Sequence, residues 1–244
     1  MNLHFVTSIS KDYWNNTAKY CIPTWDLPGK ITIYVEQRHG DLEWLKELPF
    51  KYQLMYAPDL ELDELMDRAK VLKFWGKSCA QIYAVREREP DERIIWIDAD
   101  VEQVSPVPEQ AFTFNFKEPL AMLNSRDNED CWETGVVVFN QQYEKLSLVM
   151  KKYEQAWHDS EILNSLWKPY DAQVLGYIAN ERGFKNLCNA PCKNIDALKN
   201  SHLGTHFTHW INKDNKSLLK KAHEPENCND LSQNSSESKE SRED

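Results

Sequence analysis

The stretch "RIIWIDADV", Arg93–Val101, decides how the rest of the chain is read. Ile94, Ile95, Trp96 and Ile97 form a short continuous apolar run, the pattern of a strand buried on both faces. The run ends on two carboxylates, Asp98 and Asp100, one residue apart. Residues i and i+2 of a strand point to the same side, so both carboxylates can address one point. Two like charges held together are unfavourable unless a cation joins them. Hard divalent cations such as Mg²⁺ and Mn²⁺ suit carboxylate oxygen. In open α/β sheets ligands bind beyond the carboxyl ends of the strands, where this pair would lie. A single Asp there would mean only that the chain is returning to water. The pair points to a metal.

Upstream, strand and helix patterns alternate. "LHFVTSIS" and "KITIYVEQ" read as strands, "NTAKYCIPTWDL" as a helix broken by Pro23, "DLEWLKEL" as a short helix and "KYQLMYA" as a third strand. From Glu61 to Arg88, apolar residues recur at three- and four-residue spacing, a long helix with a candidate interruption at Gly76. Downstream, "PLAMLNS", "GVVVFN" and "LGTHFTHW" read as strands. "YEKLSLVMKKYEQAWHD" and "DAQVLGYIANERGF" read as helices, the second closed by Gly183. The alternation predicts an α/β sandwich with a mainly parallel sheet.

Composition narrows the function. The chain has 244 residues, 41% hydrophobic, enough for one large domain. Its formal charge is −10, and residues 222–244 hold seven acidic and two basic side chains. That tail, almost free of apolar groups, is expected to be disordered, leaving 1–221 as the domain. An acidic body is a poor match to unspecific nucleic-acid binding. No apolar run approaches the ~20 residues of a membrane helix. The opening residues lack a secretory signal pattern, so a cytoplasmic location is expected. The six cysteines are then expected to be reduced thiols, with Cys188 and Cys192 a structural pair. With seven glycines and neither G-x-G-x-x-G nor G-x-x-x-x-G-K-[ST], the usual glycine-cradled phosphate sites are excluded.

Two enzyme classes place D-x-D after an apolar strand. In phosphatases and phosphomutases the first Asp is a phosphoryl nucleophile. There the motif ends the first strand, and a later acidic pair follows; neither holds here. The second class is the nucleotide-sugar glycosyltransferases, in which a metal held by the pair takes over the cradling of the diphosphate. Three further segments match that class. "CWETGVVVFN" (Cys131–Asn140) resembles its x-[NE]-[TSA]-G segment. "YDAQVLGYIANERG" (Tyr170–Gly183) resembles its D-Q-x-x-L-N helix, with the Gln displaced to Gln173. "THFTHWINK" (Thr205–Lys213) resembles its H-[FY]-x-G-x-x-K segment. Together the four segments resemble the GT-A fold glycosyltransferases, closest to the glycogenin-like and lipooligosaccharide galactosyltransferase-like retaining group. The resemblance implies a single Rossmann-like GT-A domain with a mixed, mainly parallel sheet. It also implies transfer of a hexose, with retention, from a nucleotide-diphosphate sugar to a hydroxyl acceptor on a glycan, protein or lipid. A nucleotide-sugar-binding module without turnover is the non-enzymatic alternative.

The resemblance also assigns roles. Thr7, Ser8 and Tyr13, after the first strand, and Glu36 would address the base and ribose. One of Lys70, Lys73 and Lys77, Lys77 foremost, would reach the diphosphate. Asp98 would contact ribose and metal, and Asp100 would chelate the metal (Mn²⁺ or Mg²⁺), with His206 or His209 completing the sphere. His206-Phe207 fits the H-[FY] dipeptide best, which sets Lys213 to neutralise the leaving diphosphate. Glu133 and Asp171 are the carboxylates near the transferred sugar, with Gln173 beside them. One carboxylate would be the base if the reaction inverts, and Asp171 would position the sugar if it retains. Trp132, Trp167 and Trp210 flank the matched segments as sugar-stacking or core residues.

Overall fold

A computed structural model describes residues 1–36, 43–61, 68–124, 132–166, 168–189, 197–210 and 213–223, with backbone alone at 68–70, 213–215 and 221. A seven-stranded sheet forms the centre. β1 (Asn2–Ile9) lies between β2 (Lys30–Glu36) and β4 (Glu92–Ile97), parallel to both, and β3 (Gln53–Met55) extends the edge beyond β2. On the other side β7 (Trp132–Phe139) pairs antiparallel with β4 and with β6 (Leu120–Asn124), and β8 (Lys185–Asn186) closes that edge. The sheet is therefore mixed and mainly parallel in its first half, as the alternating pattern predicts.

The apolar run of β4 divides by period two. Ile94 and Trp96 enter one core with Val137 and Phe139 of β7, while Ile95 and Ile97 enter the opposite core with Val136 and Val138. Each buried isoleucine contributes about 2 kcal/mol of transfer free energy before chain entropy opposes it. The first core is roofed by α3 (Arg68–Arg86), α4 (Leu146–Trp157) and α6 (Asp171–Arg182), through Val71, Trp75, Tyr153, Trp157 and Val174. α3 runs unbroken through Gly76, so the expected interruption is absent. α6 stops at Gly183, whose φ of +81° suits a residue without a Cβ.

Three helical segments depart from the sequence reading, two through local capping and one through tertiary contact. The helix after β1 begins earlier than expected: α1 (Lys11–Tyr13), a π-helical turn (Trp14–Ala18) and α2 (Lys19–Cys21) run together, ending in a 3₁₀ turn that contains Pro23. The Ser10 hydroxyl starts this stretch by accepting from Tyr13 N at 3.3 Å. α5 (Ser160–Ser165) was not expected; the Asp159 carboxylate caps it by accepting from Glu161 N and Ile162 N. α7 (Lys213–His223) was also not expected, because it is polar almost all round. It is anchored by tertiary contact: Leu219 is buried against Tyr20 and Cys21. α7 ends at His223, whose ring meets Glu102 at 3.3 Å.

A separate two-stranded ribbon pairs β5 (Val101–Gln103) with β9 (Phe207–His209), antiparallel, with Val101 opposite His209. No helix among the described residues is long and apolar enough to cross a membrane. Cys21 is a buried free thiol. Cys131, Trp167, Cys192, residues 224–244 and the side chains of Lys70 and Lys213 lie outside the described residues.

Candidate active site

A cleft of about 330 Å³ opens at the carboxyl ends of β1, β2 and β4. Asp98 and Asp100 line it, but not as two residues of one strand. β4 ends at Ile97, and Asp98–Asp100 form a turn in which Val101 N donates to the Asp98 carbonyl at 2.9 Å. The turn is pinned from both sides. Asp98 N donates to Gly135 O at 2.9 Å, and Trp210 N donates to Asp100 O at 3.0 Å. Both carboxylates are buried, and with His209 they form a donor set whose ligand atoms lie within 4.8 Å of one another.

Each carboxylate has its own partners. Asp98 accepts from Trp96 Nε1 at 2.6 Å and pairs with Lys77 Nζ at 2.7 Å. Lys77 comes from α3 and reaches four oxygens, the others being Asp98 Oδ2 at 2.8 Å, Asp171 Oδ2 at 2.8 Å and Thr134 Oγ1 at 3.1 Å. The Thr134 hydroxyl in turn donates to Asp171 Oδ2 at 2.5 Å. Asp171 opens α6, where the N-terminal end of the helix favours negative charge. Asp100 pairs with His209 Nε2 at 3.1 Å and Lys216 Nζ at 3.0 Å, and accepts from the Tyr13 hydroxyl.

These partners drive the titrations apart. Burial raises the Asp98 carboxyl, and the neighbouring charges of Asp100 and Asp171 raise it further against the pull of Lys77. Burial opposes ionisation of Asp100 too, but His209, Lys216 and the Tyr13 hydroxyl outweigh it and hold that carboxyl well below the usual range. Burial alone would lower the Lys77 ammonium and the His209 imidazolium. Asp171 and Asp98 raise the lysine instead, and Asp100, Asp98 and Glu133 raise His209 to about 9. Tyr13 is pushed well above its usual range, first by burial and then by Asp100 and Asp98.

Two glycines leave room for this arrangement. A Cβ at Gly135 would stand 2.8 Å from the His209 ring, and one at Gly176 would meet the Trp132 indole at 2.3 Å. Trp132 thereby packs onto α6 and against Phe184. It lines the cleft together with a stacked Phe74–Tyr170 pair, whose ring centroids are 4.4 Å apart.

The structure gathers most of the expected residues. Ser8, Tyr13, Glu36, Lys77, Asp98, Asp100, Glu133, Asp171 and His209 all line the cleft, and Ser8 donates to Glu36 at 3.2 Å. Thr7 is fully buried and faces away from it, as alternation along β1 requires. Gln173 is buried in α6 and lies outside the lining. His206 lies outside the donor set, its Nδ1 meeting Ser105 Oγ at 3.1 Å. Trp210 donates to Glu102 at 3.0 Å rather than lining the cleft.

Sequence reasoning missed Trp96, Thr134 and Lys216. The first two lie inside the quoted segments, and their roles depend on contacts that no spacing shows. Lys216 did leave a signal: it follows His209 by the interval at which Lys213 follows His206. Reading the segment from His209 would have found it.

No protein-family profile and no curated protein sequence matches the chain. Solved structures do. The galactosyltransferase LgtC, solved with donor and acceptor sugar analogs, superposes with a TM-score of 0.52 at 11% identity, over 91% of this chain and 96% of that one. A glycosyltransferase involved in the glycosylation of the major capsid of PBCV-1 gives 0.52 at 12% identity, over 90% and 99%. GlyE of Streptococcus pneumoniae TIGR4 gives 0.50 at 13% identity over 77% of this chain. The chain spans only 45% of GlyE. The fold is that of the GT-A glycosyltransferases, with an Asp-x-Asp group at the expected end of its sheet.

Proposed function

We propose that the protein is a metal-dependent, retaining glycosyltransferase that moves a hexose from a nucleotide-diphosphate sugar to a hydroxyl acceptor. The observation that carries this reading is the convergence of Asp98, Asp100 and His209 in one buried donor set beside a cation-lined cleft. Two carboxylate oxygens and an imidazole suit Mn²⁺ or Mg²⁺. His209 turns Nε2 toward both carboxylates, 3.1 Å from Asp100 Oδ1 and 3.8 Å from Asp98 Oδ2, and Gly135 leaves the ring space. A divalent ion held there would supply positive charge opposite the diphosphate as the sugar bond breaks.

The remaining roles belong to side chains. Lys216, on the rim at Asp100, is placed to neutralise diphosphate oxygens, the role expected of Lys213. Ser8, Tyr13 and Glu36 line the part of the cleft at the ends of β1 and β2, where the base and ribose would sit. Lys77 fixes Asp98 and Asp171 relative to one another. Asp171 Oδ2 is occupied by an ammonium and a hydroxyl donor, an arrangement suited to orienting a sugar rather than to taking a proton from an acceptor. That supports retention. Glu133 Oε2 stands 4.0 Å from His209 Nδ1, placed to steer the imidazole as carboxylates do at metal-bound histidines.

A phosphatase would need one of Asp98's oxygens free to attack phosphorus. Trp96 Nε1 and the Lys77 ammonium both engage this buried carboxylate, which disfavours that reading. The decisive experiment is calorimetric titration of nucleotide sugars in Mn²⁺ and in chelator, followed by product analysis with simple glycoside acceptors. Binding only with the cation, with the anomeric configuration kept, supports the proposal. Equal binding in chelator rejects the metal, and an inverted product rejects retention.

A further inference from the structure

A second cleft, of about 540 Å³, adjoins the first and shares Tyr13, Lys73 and Lys216 with it. It runs between the helical stretch that follows β1 and α7, and it is lined also by Asp12, Asn16, Thr17, Ser217 and Lys220. Three ammonium groups from two helices line it, of which Lys216 is paired with Asp100, and one carboxylate, Asp12, lines it too. Lys73 and Lys216 both stand over the Tyr13 ring, at 5.2 and 5.0 Å. The Lys73 ammonium titrates lower than usual, first through burial and then through the nearby charge of Lys216.

A second observation is independent of charge. Thr17 is fully buried, yet its hydroxyl has no hydrogen-bond partner among the described residues. It sits in the π-helical turn Trp14–Ala18, and such turns recur at functional sites. A buried hydroxyl left without a partner is unfavourable, and native proteins carry few of them.

We propose that this cleft binds a phosphate-class anion, with Lys73 and Lys220 supplying charge and the Thr17 hydroxyl donating a hydrogen bond. A phosphomonoester carries nearly two negative charges and three strong acceptor oxygens, which matches such a set. Its position next to the transfer cleft rests on the glycosyltransferase reading only for the source of the anion, either a phosphorylated acceptor or free phosphate.

The test is calorimetric titration of the full chain in Mn²⁺ with inorganic phosphate, glucose 6-phosphate, glucose, UDP and GDP, for wild type, Thr17→Val and Lys220→Gln. Neither substituted residue lines the first cleft. Each variant should weaken phosphate binding about tenfold, the loss of one charge-assisted hydrogen bond, and leave nucleoside diphosphate binding unchanged. Thr17→Val should also raise Tm by about 2 °C in phosphate-free buffer, because it removes the orphaned hydroxyl. Tighter binding of glucose 6-phosphate than of inorganic phosphate supports the site with a phosphorylated acceptor. Equal binding supports it with free phosphate. Absent phosphate binding, wild-type phosphate affinity in both variants, or a matching loss of nucleotide affinity overturns it. Absent UDP and GDP binding with phosphate binding retained would instead count against the glycosyltransferase reading alone.

Discussion

Strand β4 carries a buried ionic cluster at each end, and the two clusters are built differently. At the amino end, Glu92 meets the His4 ring at 3.1 Å, Lys30 at 3.2 Å and Glu89 N at 3.2 Å, while the other nitrogen of His4 reaches Thr32 at 2.8 Å. One carboxylate there faces several donors, all from the adjacent parallel strands or the turn before β4. Burial opposes its ionisation, but the Glu89 amide, His4 and Lys30 win, and its carboxyl lies below the usual value. At the carboxyl end, three carboxylates converge and their cations arrive from α3, β9 and α7. The amino end is balanced for stability. The carboxyl end holds like charges together at a site open to a ligand, and such concentration of charge is how a binding site differs from a structural plug.

Substitution should separate the two ends. On the proposed function, Asp100→Asn is expected to lower transfer at least about 100-fold, since a bound cation would lose a charged ligand and the diphosphate its counter-charge. From sequence, the same change should relieve repulsion with Asp98 and leave stability intact. The structure reverses that expectation, because the amide would leave His209 and Lys216 without their anion. A loss of about 3 kcal/mol in denaturant unfolding is expected; unchanged stability would mean these contacts hold little. Lys77→Met leaves Asp98 and Asp171 facing each other, and should destabilise by a similar amount, about 3 kcal/mol, while also weakening sugar-nucleotide binding.

Gly135→Ala drives a methyl into the His209 ring. A loss of about 1–2 kcal/mol is expected, with weaker Mn²⁺ binding by calorimetry. Retained Mn²⁺ affinity would show that the ring position is not what the glycine protects. At the amino end, Glu92→Gln keeps the hydrogen-bonding shape and loses only charge pairing, partly with the exposed Lys30. About 1 kcal/mol and unaltered turnover are expected; lost turnover would erase the distinction between the two ends.

The smallest effect is in pH, where the two histidines have opposite signs. His209 is raised from 6.5 to about 9, so its stabilisation is complete below about pH 6.5 and is lost as pH rises through 9. His4 is lowered from 6.5, mainly by burial and then by Lys30, so its contribution is present above that value and is lost as pH falls through its folded pKa. Melting curves from pH 5 to 10 should lose their alkaline decline in His209→Gln and part of their acid decline in His4→Gln. The same alkaline decline in both variants would remove His209 as its cause.

Much of the fold was legible because its signals are local. The continuous apolar run of β4, the alternating pattern of β2, the amphipathic α4 and the glycine stop of α6 follow from backbone geometry acting on neighbouring residues. So did the pair of carboxylates beyond a buried strand. α7 was not legible, because a polar helix is held by one buried leucine meeting residues from the other end of the chain. The turn at Asp98–Asp100 was not legible either, since it is fixed by backbone bonds to Gly135 and Trp210.

By itself the sequence determined the α/β class, the carboxyl-end placement of Asp98 and Asp100, and the acidic segments near them. Which histidine and which lysine join that pair was decided by tertiary structure. The β5–β9 ribbon places Val101 opposite His209 and so brings the imidazole to Asp100, across 109 residues of sequence. Side chains alternate across a strand, so the register of that pairing selects the residues that face the cleft. His206 precedes β9 and turns to Ser105. Spacing along the chain treats His206 and His209 alike, and only the pairing of two distant strands tells them apart.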